Sequence, residues 1–303
     1  MTRRVKVILN PASDLGRSRS AAALIREIGA QYGELDLEMS QYRGHAQELA
    51  NEASDAGYDV VAAAGGDGTV HEVVNGLVRG DRADVMLGVI PIGSGNDFAY
   101  ALKIPTDVET AVARLFNGQP RTVDLARIED ENGRFKIFDN NFGAGFDAMV
   151  VVRTEAITRL HGFMMYLWAV LQTIALYYHT PHLDIRFDDE RVSQKVLFLT
   201  VGLGLRGGGG FLLTPDARQD DDLIDSCTVN PISRLTMLRM LSQAIRGTHV
   251  HSKHVTMRKN RRIVIRSDSA LPIHIDGEVF AYPRDNIRQV TITSLPAAIQ
   301  VVV

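Results

Sequence analysis

A carboxylate sits where a phosphate cradle would ordinarily exclude one. Gly65, Gly66, Asp67, Gly68 and Thr69 follow the apolar run Val60 to Ala64 and precede Val70, Val73, Val74 and Leu77 at helical spacing. Glycines at a strand-to-helix turn let backbone N–H groups approach a ligand closely, and a helix start attracts phosphate. Asp67 repels that phosphate unless a metal ion or a reacting proton compensates. The alternative use is a tight turn with an Asp helix cap. The stretch is neither Gly-x-Gly-x-x-Gly nor a P-loop, which carries Lys before Ser/Thr. A second glycine turn, Pro91-Ile92-Gly93-Ser94-Gly95-Asn96-Asp97, follows the run Met86 to Ile90. Its Ser94 and Asn96 suit either ligand contact or helix capping. Asn10-Pro11-Ala12-Ser13 closes a first strand and is followed by Gly16, Arg17 and Arg19, a set fit for phosphate or for a solvated loop.

Two carboxylate groupings lie in the second half. Asp220, Asp221 and Asp222 end the stretch Thr214 to Leu223. Carboxylates with loop carbonyls hold hard cations such as magnesium, and a solvated acidic turn has the same composition. Asp276-Gly277-Glu278 follows a short strand, and either a turn or a general base fits it. Gly207 to Gly210 reads as a permissive loop, for a hinge or a close approach to ligand. His249, His251 and His254 are loosely spaced like metal ligands, but without a local acidic or Cys partner they read as a polar strand entrance.

The elements that position these residues fall into two grammars. Up to about residue 120, strands alternate with helices, which predicts an α/β domain with a mostly parallel sheet and both glycine turns at strand carboxyl ends. Short strands then follow at Thr122–Ile128, Phe135–Asn140, Leu183–Phe187, Val196–Val201, Ile224–Val229, Arg262–Ile265, Ile273–Ile275 and Val290–Ile292. That pattern predicts an antiparallel β-sandwich or barrel, interrupted by helices over about 150–178 and 234–245. The expected domains are 1–125 and 126–290. The tail 291–303, apolar and β-prone over its last seven residues, is a candidate to return to the first domain.

Composition narrows the function. The 303 residues are 45% hydrophobic with a net charge of −3, ample for a core and with nothing to favour nucleic acid. The single cysteine, Cys227, excludes an intrachain disulfide and a Cys-rich metal site and suits a core position in a reducing compartment. The N-terminus enters a strand directly, so a cytoplasmic location is expected. The most apolar stretch, Phe163 to Tyr178, is shorter than a membrane span and reads as a core helix with one face near a lipid site.

Together these stretches resemble the diacylglycerol kinase family of lipid kinases, in its soluble bacterial two-domain branch. Gly65-Gly-Asp-Gly-Thr69 matches the family hallmark, shared more distantly with NAD kinases and phosphofructokinases. Asn10-Pro11 matches the nucleotide loop, Gly93-Ser-Gly-Asn-Asp97 the second turn with Ser94 where Thr is usual, and Pro215-x-Ala217 with Asp221 and Leu223 a magnesium loop. Asp276-Gly-Glu278 matches the terminal motif. Two departures stand out: Asp14 and Leu15 separate Ser13 from Gly16, and Asp222 replaces a Gly. The resemblance implies a phosphofructokinase- or NAD-kinase-like first domain, ATP and Mg2+ as cofactors, and a lipid hydroxyl as acceptor, with diacylglycerol foremost. A sphingoid base, ceramide, phosphatidylglycerol or NAD is the alternative acceptor, and an inactive nucleotide- or lipid-binding regulator is the alternative class. By similarity, ATP contacts come from Asn10, Pro11, Ala12, Ser13, Asp14, Ser40, Gly65, Gly66, Asp67, Gly68, Thr69, Val70, His71 and Ser94. Asn96, Asp97 and Asp124 extend the acidic network. The Arg218 carbonyl, the Asp221 side chain and the Leu223 carbonyl hold a structural magnesium ion. Glu278 is the expected proton acceptor, with Asp276 as the alternative. Transient docking at the inner membrane face, for which Arg258, Lys259, Arg261 and Arg262 suit either attraction to anionic lipid or a solvated basic turn, and a homodimer through exposed strand edges complete the expectation.

Overall fold

The computed structural model describes residues 3–13, 18–80, 82 and 84–303, with the side chains of residues 18 and 19 outside that description. The chain divides into two compact units, Met1–Val123 with Ala297–Val303, and Asp124–Pro296.

The first unit is α/β. Its elements run β1 (Val5–Leu9), α1 (Ser18–Gly29), β2 (Leu35–Met39), α2 (His45–Asp55), β3 (Val60–Gly65), α3 (Asp67–Leu77), β4 (Met86–Pro91), α4 (Asp97–Ala101) and α5 (Val108–Asn117). The strands order as β2-β1-β3-β4, all parallel, with Val5 level with Leu35 on one side and Val60 on the other. Every residue of β3 is buried, as a continuous apolar strand covered on both faces must be. Near the carboxyl terminus Val301 pairs in parallel with Leu87 of β4. Ala22, Ile25 and Ile28 of α1 and Ala111, Val112 and Leu115 of α5 pack on this sheet. The chain leaves β1 to one side and returns to β3 on the other. The carboxyl ends of β1 and β3 therefore bound the switch point at which open α/β sheets hold ligands.

The second unit is antiparallel throughout its described pairings. Its elements are β5 (Pro120–Asp130, entering from the first unit), β6 (Phe135–Phe138), β7 (Asn141–Gly145), α6 (Phe146–Thr154), α7 (Gly162–Leu176), β8 (His182–Phe187), β9 (Glu190–Lys195), β10 (Phe198–Gly202), β11 (Ile224–Val229), α8 (Arg234–Arg246), β12 (Val255–Asn260), β13 (Arg262–Ser267), β14 (Ile273–Ile275), β15 (Glu278–Ala281) and β16 (Gln289–Val302). One layer orders as β12-β11-β10-β7-β14-β15, and the other contains β16-β13-β8-β9 with β5 and β6. Phe142, Leu199 and Ile273 from the first layer and Ile185, Ile263 and Ile292 from the second share one core, which makes the pair a sandwich.

The helical periodicity of 150–178 predicts one helix, and the structure has two. The β-branched Thr154, Ile157 and Thr158 weaken the helix there, and Gly162 takes φ 57 as α7 begins.

Candidate functional site

In the first unit the carboxyl ends of all four strands supply polar loops. The Asn10 N–H, just past β1, donates to the Ala64 carbonyl (3.0 Å), and its side-chain amide reaches Thr69 Oγ1 (3.3 Å). Its Oδ1 accepts from the Ala12 N–H (2.9 Å), which holds the Pro11–Ser13 turn. Ser40, past β2, donates its N–H to Leu9 O (2.9 Å) and is buried. Ile92, past β4, donates its N–H to Gly65 O (3.1 Å). Sequence-distant loops thus meet at the switch point.

The two glycine turns meet there as backbone. A Cβ on Gly93 would fall 2.8 Å from the Gly66 nitrogen and closer still to its Cα, so the second turn tolerates no side chain at this approach, and a Cβ on Gly66 would come within 3.3 Å of the Gly93 Cα. Asn96 holds the second turn in shape. Its φ is 54, its Oδ1 accepts from Gly93 N–H (3.1 Å), and its Nδ2 donates to Gly93 O (2.8 Å). Asp67 does not cap its own helix. It is the first residue of α3, and its carboxylate accepts the N–H of Phe98 in α4 (3.2 Å). The N–H groups of Thr69 and Val70 are turned back onto Gly66 O (2.9 and 3.2 Å). The preceding amides, Gly66 to Gly68, are those that a helix start leaves for a ligand. Val70 and His71 are buried, as is Asp97, whereas Ser94 is exposed. Of the expected nucleotide contacts, Asp14 lies outside the described residues, as do Gly16, Arg17 and the Arg19 side chain.

In the second unit, Asp276 and Gly277 are the two residues between β14 and β15, with φ of 48 and 77, and Ile275 pairs with Glu278 across them. Asp276 is buried. Its Oδ1 accepts from Asn140 N–H (3.0 Å) and Asn141 N–H (2.8 Å), and its Oδ2 from Asp139 N–H (3.1 Å). Glu278 opens β15, with Oε2 4.0 Å from Lys136 Nζ and the side chain 20% exposed. Asp139, Asn140 and Asn141 escaped the sequence reading. The polar run that ends β6 was their only sign, and it points equally to a turn.

Arg218, Asp221 and Leu223 share the irregular stretch before β11, and Asp124 joins them. Asp124 Oδ2 accepts the N–H of Asp222 (2.8 Å), and its own N–H donates to Gln219 O (2.8 Å). Asp222 keeps the left-handed backbone of a glycine, with φ 65. Arg218 is drawn to Asp220, with Nε 3.2 Å from Oδ1. The carboxylate of Asp221 is engaged at both oxygens, by Leu223 N–H (3.2 Å) and by Lys259 Nζ (2.8 Å). Lys259 also lies 3.4 Å from the buried Asp225. Burial pushes the Asp225 carboxyl above its ordinary value, and the Lys259 charge works against that. Burial alone lowers Lys259, but its bond to Asp221 and the charge of Asp225 leave it above the ordinary lysine value. These residues do not fit a magnesium ion as they stand, because an ammonium already occupies the Asp221 carboxylate.

Two further groups of sequence candidates, the basic residues and the histidines, lie at β12. Arg258 and Lys259 belong to β12 rather than to a basic turn. Arg258 pairs with Glu190 through both nitrogens (2.9 and 3.0 Å), so neither is a loose charge for lipid. Among the histidines that lead into β12, His249 is buried, 3.2 Å from Leu213 O and 3.8 Å from Cys227 Sγ. Burial lowers the His249 imidazole, opposed by the Leu213 carbonyl, and pushes the Cys227 thiol up to about 12. Gly207 to Gly210 pack under α7, where a Cβ on Gly210 would strike the Phe163 ring.

Comparison with known proteins follows the same division. Residues 4–128 match the model of the diacylglycerol kinase catalytic domain, and residues 140–303 that of the YegS C-terminal NAD kinase beta sandwich-like domain. A diacylglycerol kinase of Bacillus subtilis is 29% identical over 91% of this chain and 90% of its own. A Chromohalobacter salexigens protein named "Probable lipid kinase YegS-like" is 31% identical over 90% of this chain and 86% of its own. The fold matches the crystal structure of a diacylglycerol kinase from Bacillus anthracis with a TM-score of 0.76 at 20% identity, covering 99% of this chain and 97% of that one.

Proposed function

Because the chain belongs to the diacylglycerol kinase family of lipid kinases, in its two-domain YegS-like form, we propose that it transfers the γ-phosphoryl group of ATP to the free hydroxyl of diacylglycerol, giving phosphatidic acid. Family membership carries lipid kinase chemistry and ATP use; the acceptor and the residue roles are the proposal. The observation that supports it most is the direct backbone contact of Gly93 with Gly66, beside Asn10 and the start of α3, which gathers the amides of both turns into one cradle. Such a cradle fits a phosphate chain.

ATP supplies the phosphoryl group, and its magnesium ion neutralises charge on the phosphates. The protein positions these groups and moves one proton. In the first unit, the amides at the α3 start and the Asn10–Ser13 turn bind phosphate, and Asn96 keeps the second turn close. Asp67, held by the Phe98 N–H, is the carboxylate that would hold the magnesium ion beside the phosphates. In the second unit, Glu278 accepts the acceptor hydroxyl's proton as the oxygen attacks phosphorus. Asp276 is a positioning residue: it binds three backbone N–H groups and fixes the turn that carries Glu278. Asp124 and Lys259 shape the 218–223 loop. A metal at Arg218 O, Asp221 and Leu223 O would have to displace Lys259, and no step is assigned to one.

The test is transfer from labelled ATP to a panel of micellar lipid alcohols, with NAD and a no-acceptor control. Wild type, Asp67→Ala and Glu278→Gln run in parallel. Labelled phosphatidic acid from wild type is expected, lost in Asp67→Ala, and reduced in kcat with nucleotide binding retained in Glu278→Gln. Label on NAD, or on no lipid of the panel, refutes the reading.

A further inference from the structure

Helix α7 is apolar on every side; residues 162–176 contain no charged side chain. A helix of that kind is ordinarily buried all round. Here only Ala169, Thr173 and Ile174 are buried, while Met164, Trp168 and Leu176 are 56%, 47% and 68% exposed. Helix α8 packs beside α7 and adds the exposed Leu235 and Leu238. The other side of α7 is committed to protein. The Phe163 ring meets Phe211 at 5.3 Å, and the Tyr166 hydroxyl lies so close to Gly277 that a Cβ there would be 2.8 Å from it. One helix therefore joins the Asp276–Glu278 turn to an uncovered apolar face.

Charge identifies what covers that face. Residues 226–257 hold four Lys or Arg and no Asp or Glu, in a chain whose net charge is −3, and residues 156–181 hold one arginine and no acid. Arg239 and Arg246 are exposed on α8, while Arg234 is anchored to the α7 carboxyl end through Ile174 O (2.8 Å). Apolar side chains that include a tryptophan, flanked by arginine and free of acid, suit the headgroup boundary of an anionic bilayer. Among the described residues no helix is long and apolar enough to cross a membrane. We infer that the exposed face of α7 and α8 docks in the interface of an anionic bilayer, with α7 linking the lipid surface to the Asp276–Glu278 turn. Family membership as a lipid kinase decides for a bilayer over a protein partner; the diacylglycerol assignment does not enter.

The chain reports on itself, because Trp168 is its one tryptophan. Its emission is followed as phosphatidylcholine vesicles with or without phosphatidylserine are added, alongside co-sedimentation, without ATP or any acceptor alcohol. Phosphatidylserine has no free hydroxyl, so docking is separated from turnover. A kinase assay that fails leaves this measurement intact, and the reverse also holds. A blue shift and co-sedimentation that require phosphatidylserine and weaken with salt are expected. Arg239→Gln with Arg246→Gln is expected to lower partitioning about 30-fold, from roughly 1 kcal/mol per basic residue. Leu235→Gln with Leu238→Gln, at exposed positions, shifts it in the same direction. No shift with either vesicle, or equal binding to both, overturns the inference. So does a vesicle-independent blue shift that grows with protein concentration alongside a dimer mass, which would mean that a second copy covers the face.

Discussion

Removing Asp276 is expected to damage stability first and chemistry second, in the reverse order to Glu278. The Asp276 carboxylate accepts from the N–H groups of Asp139, Asn140 and Asn141 at 2.8 to 3.1 Å, and the residue is 8% exposed. Asp276→Ala strands three donors at once. A stranded buried donor costs about 1–3 kcal/mol, and neighbouring losses are not additive, so a loss of about 3–6 kcal/mol is expected for the transition of the second unit. Asp276→Asn retains one acceptor oxygen for Asn140 and Asn141 but turns an NH2 group towards Asp139 N–H, so about 1–3 kcal/mol is expected. Glu278→Gln is expected to cost less, because Gln keeps the side chain's shape and one acceptor oxygen, and the 4.0 Å pair with the 45% exposed Lys136 contributes little. Urea unfolding monitored by circular dichroism gives the midpoints and slopes, and single-turnover transfer from labelled ATP gives the chemistry. The ordering Asp276→Ala, Asp276→Asn, Glu278→Gln in stability, with Glu278→Gln worst in the chemical step per folded molecule, is the expected result. Unchanged midpoints in Asp276→Asn with complete loss of transfer would refute it and make Asp276 the base.

Gly93→Ala is expected to lower nucleotide affinity at least tenfold by forcing the turns apart, since the new Cβ meets Gly66 backbone rather than a movable side chain; equilibrium binding of a fluorescent ATP analogue measures it, and unchanged affinity would remove the cradle from the phosphate site. Lys259→Met is expected to cost about 1–2 kcal/mol near neutral pH, a figure discounted because Lys259 is 39% exposed. The sign with pH follows from Asp225, whose folded-state pKa is raised by burial. Its protonated form favours the folded state at acid pH, and that contribution is lost as pH rises through the raised value. Without Lys259 the value rises further, so the variant's deficit grows from acid to neutral pH. Millimolar magnesium or manganese, added without nucleotide, is expected to raise the melting temperature of Lys259→Met and to leave wild type nearly unmoved. A metal-induced rise in wild type that Asp221→Asn abolishes would show that the ion displaces Lys259.

The parts of the fold and site that were legible in sequence are those in which local chemistry and tertiary role coincide. The runs Val60–Ala64 and Met86–Ile90 are apolar because both sheet faces are covered, and the glycines after them mark where the two turns meet backbone to backbone. Elements whose signal is tertiary were missed. The Asn141–Gly145 strand, with two glycines, has weak β-propensity and is held by partners on both sides. The Lys259 contact with Asp221 spans 38 positions, and nothing in the local charge run distinguishes Lys259 from its neighbours. The Phe98 N–H that holds Asp67 is a backbone group, invisible to any reading of side chains.

The tripeptide Asp276-Gly277-Glu278 shows why a turn and a catalytic motif are not competing explanations of one sequence. A two-residue link of the type I′ kind, whose twist matches right-twisting antiparallel strands, has positive φ at both central positions, which Asp and Gly adopt at low cost. The link here has φ of 48 and 77. That same backbone returns the Asp276 carboxylate onto the three N–H groups of Asp139 to Asn141 that lead into β7 and makes Glu278 the first residue of the returning strand, in register with Ile275. An Asn-Gly link would make the same turn but would offer one acceptor oxygen where the approach to β7 presents three donors. A longer loop would let Glu278 wander. The turn residues are therefore chosen twice, once by strand twist and once by the amides they must satisfy. The proposed base inherits its position from both.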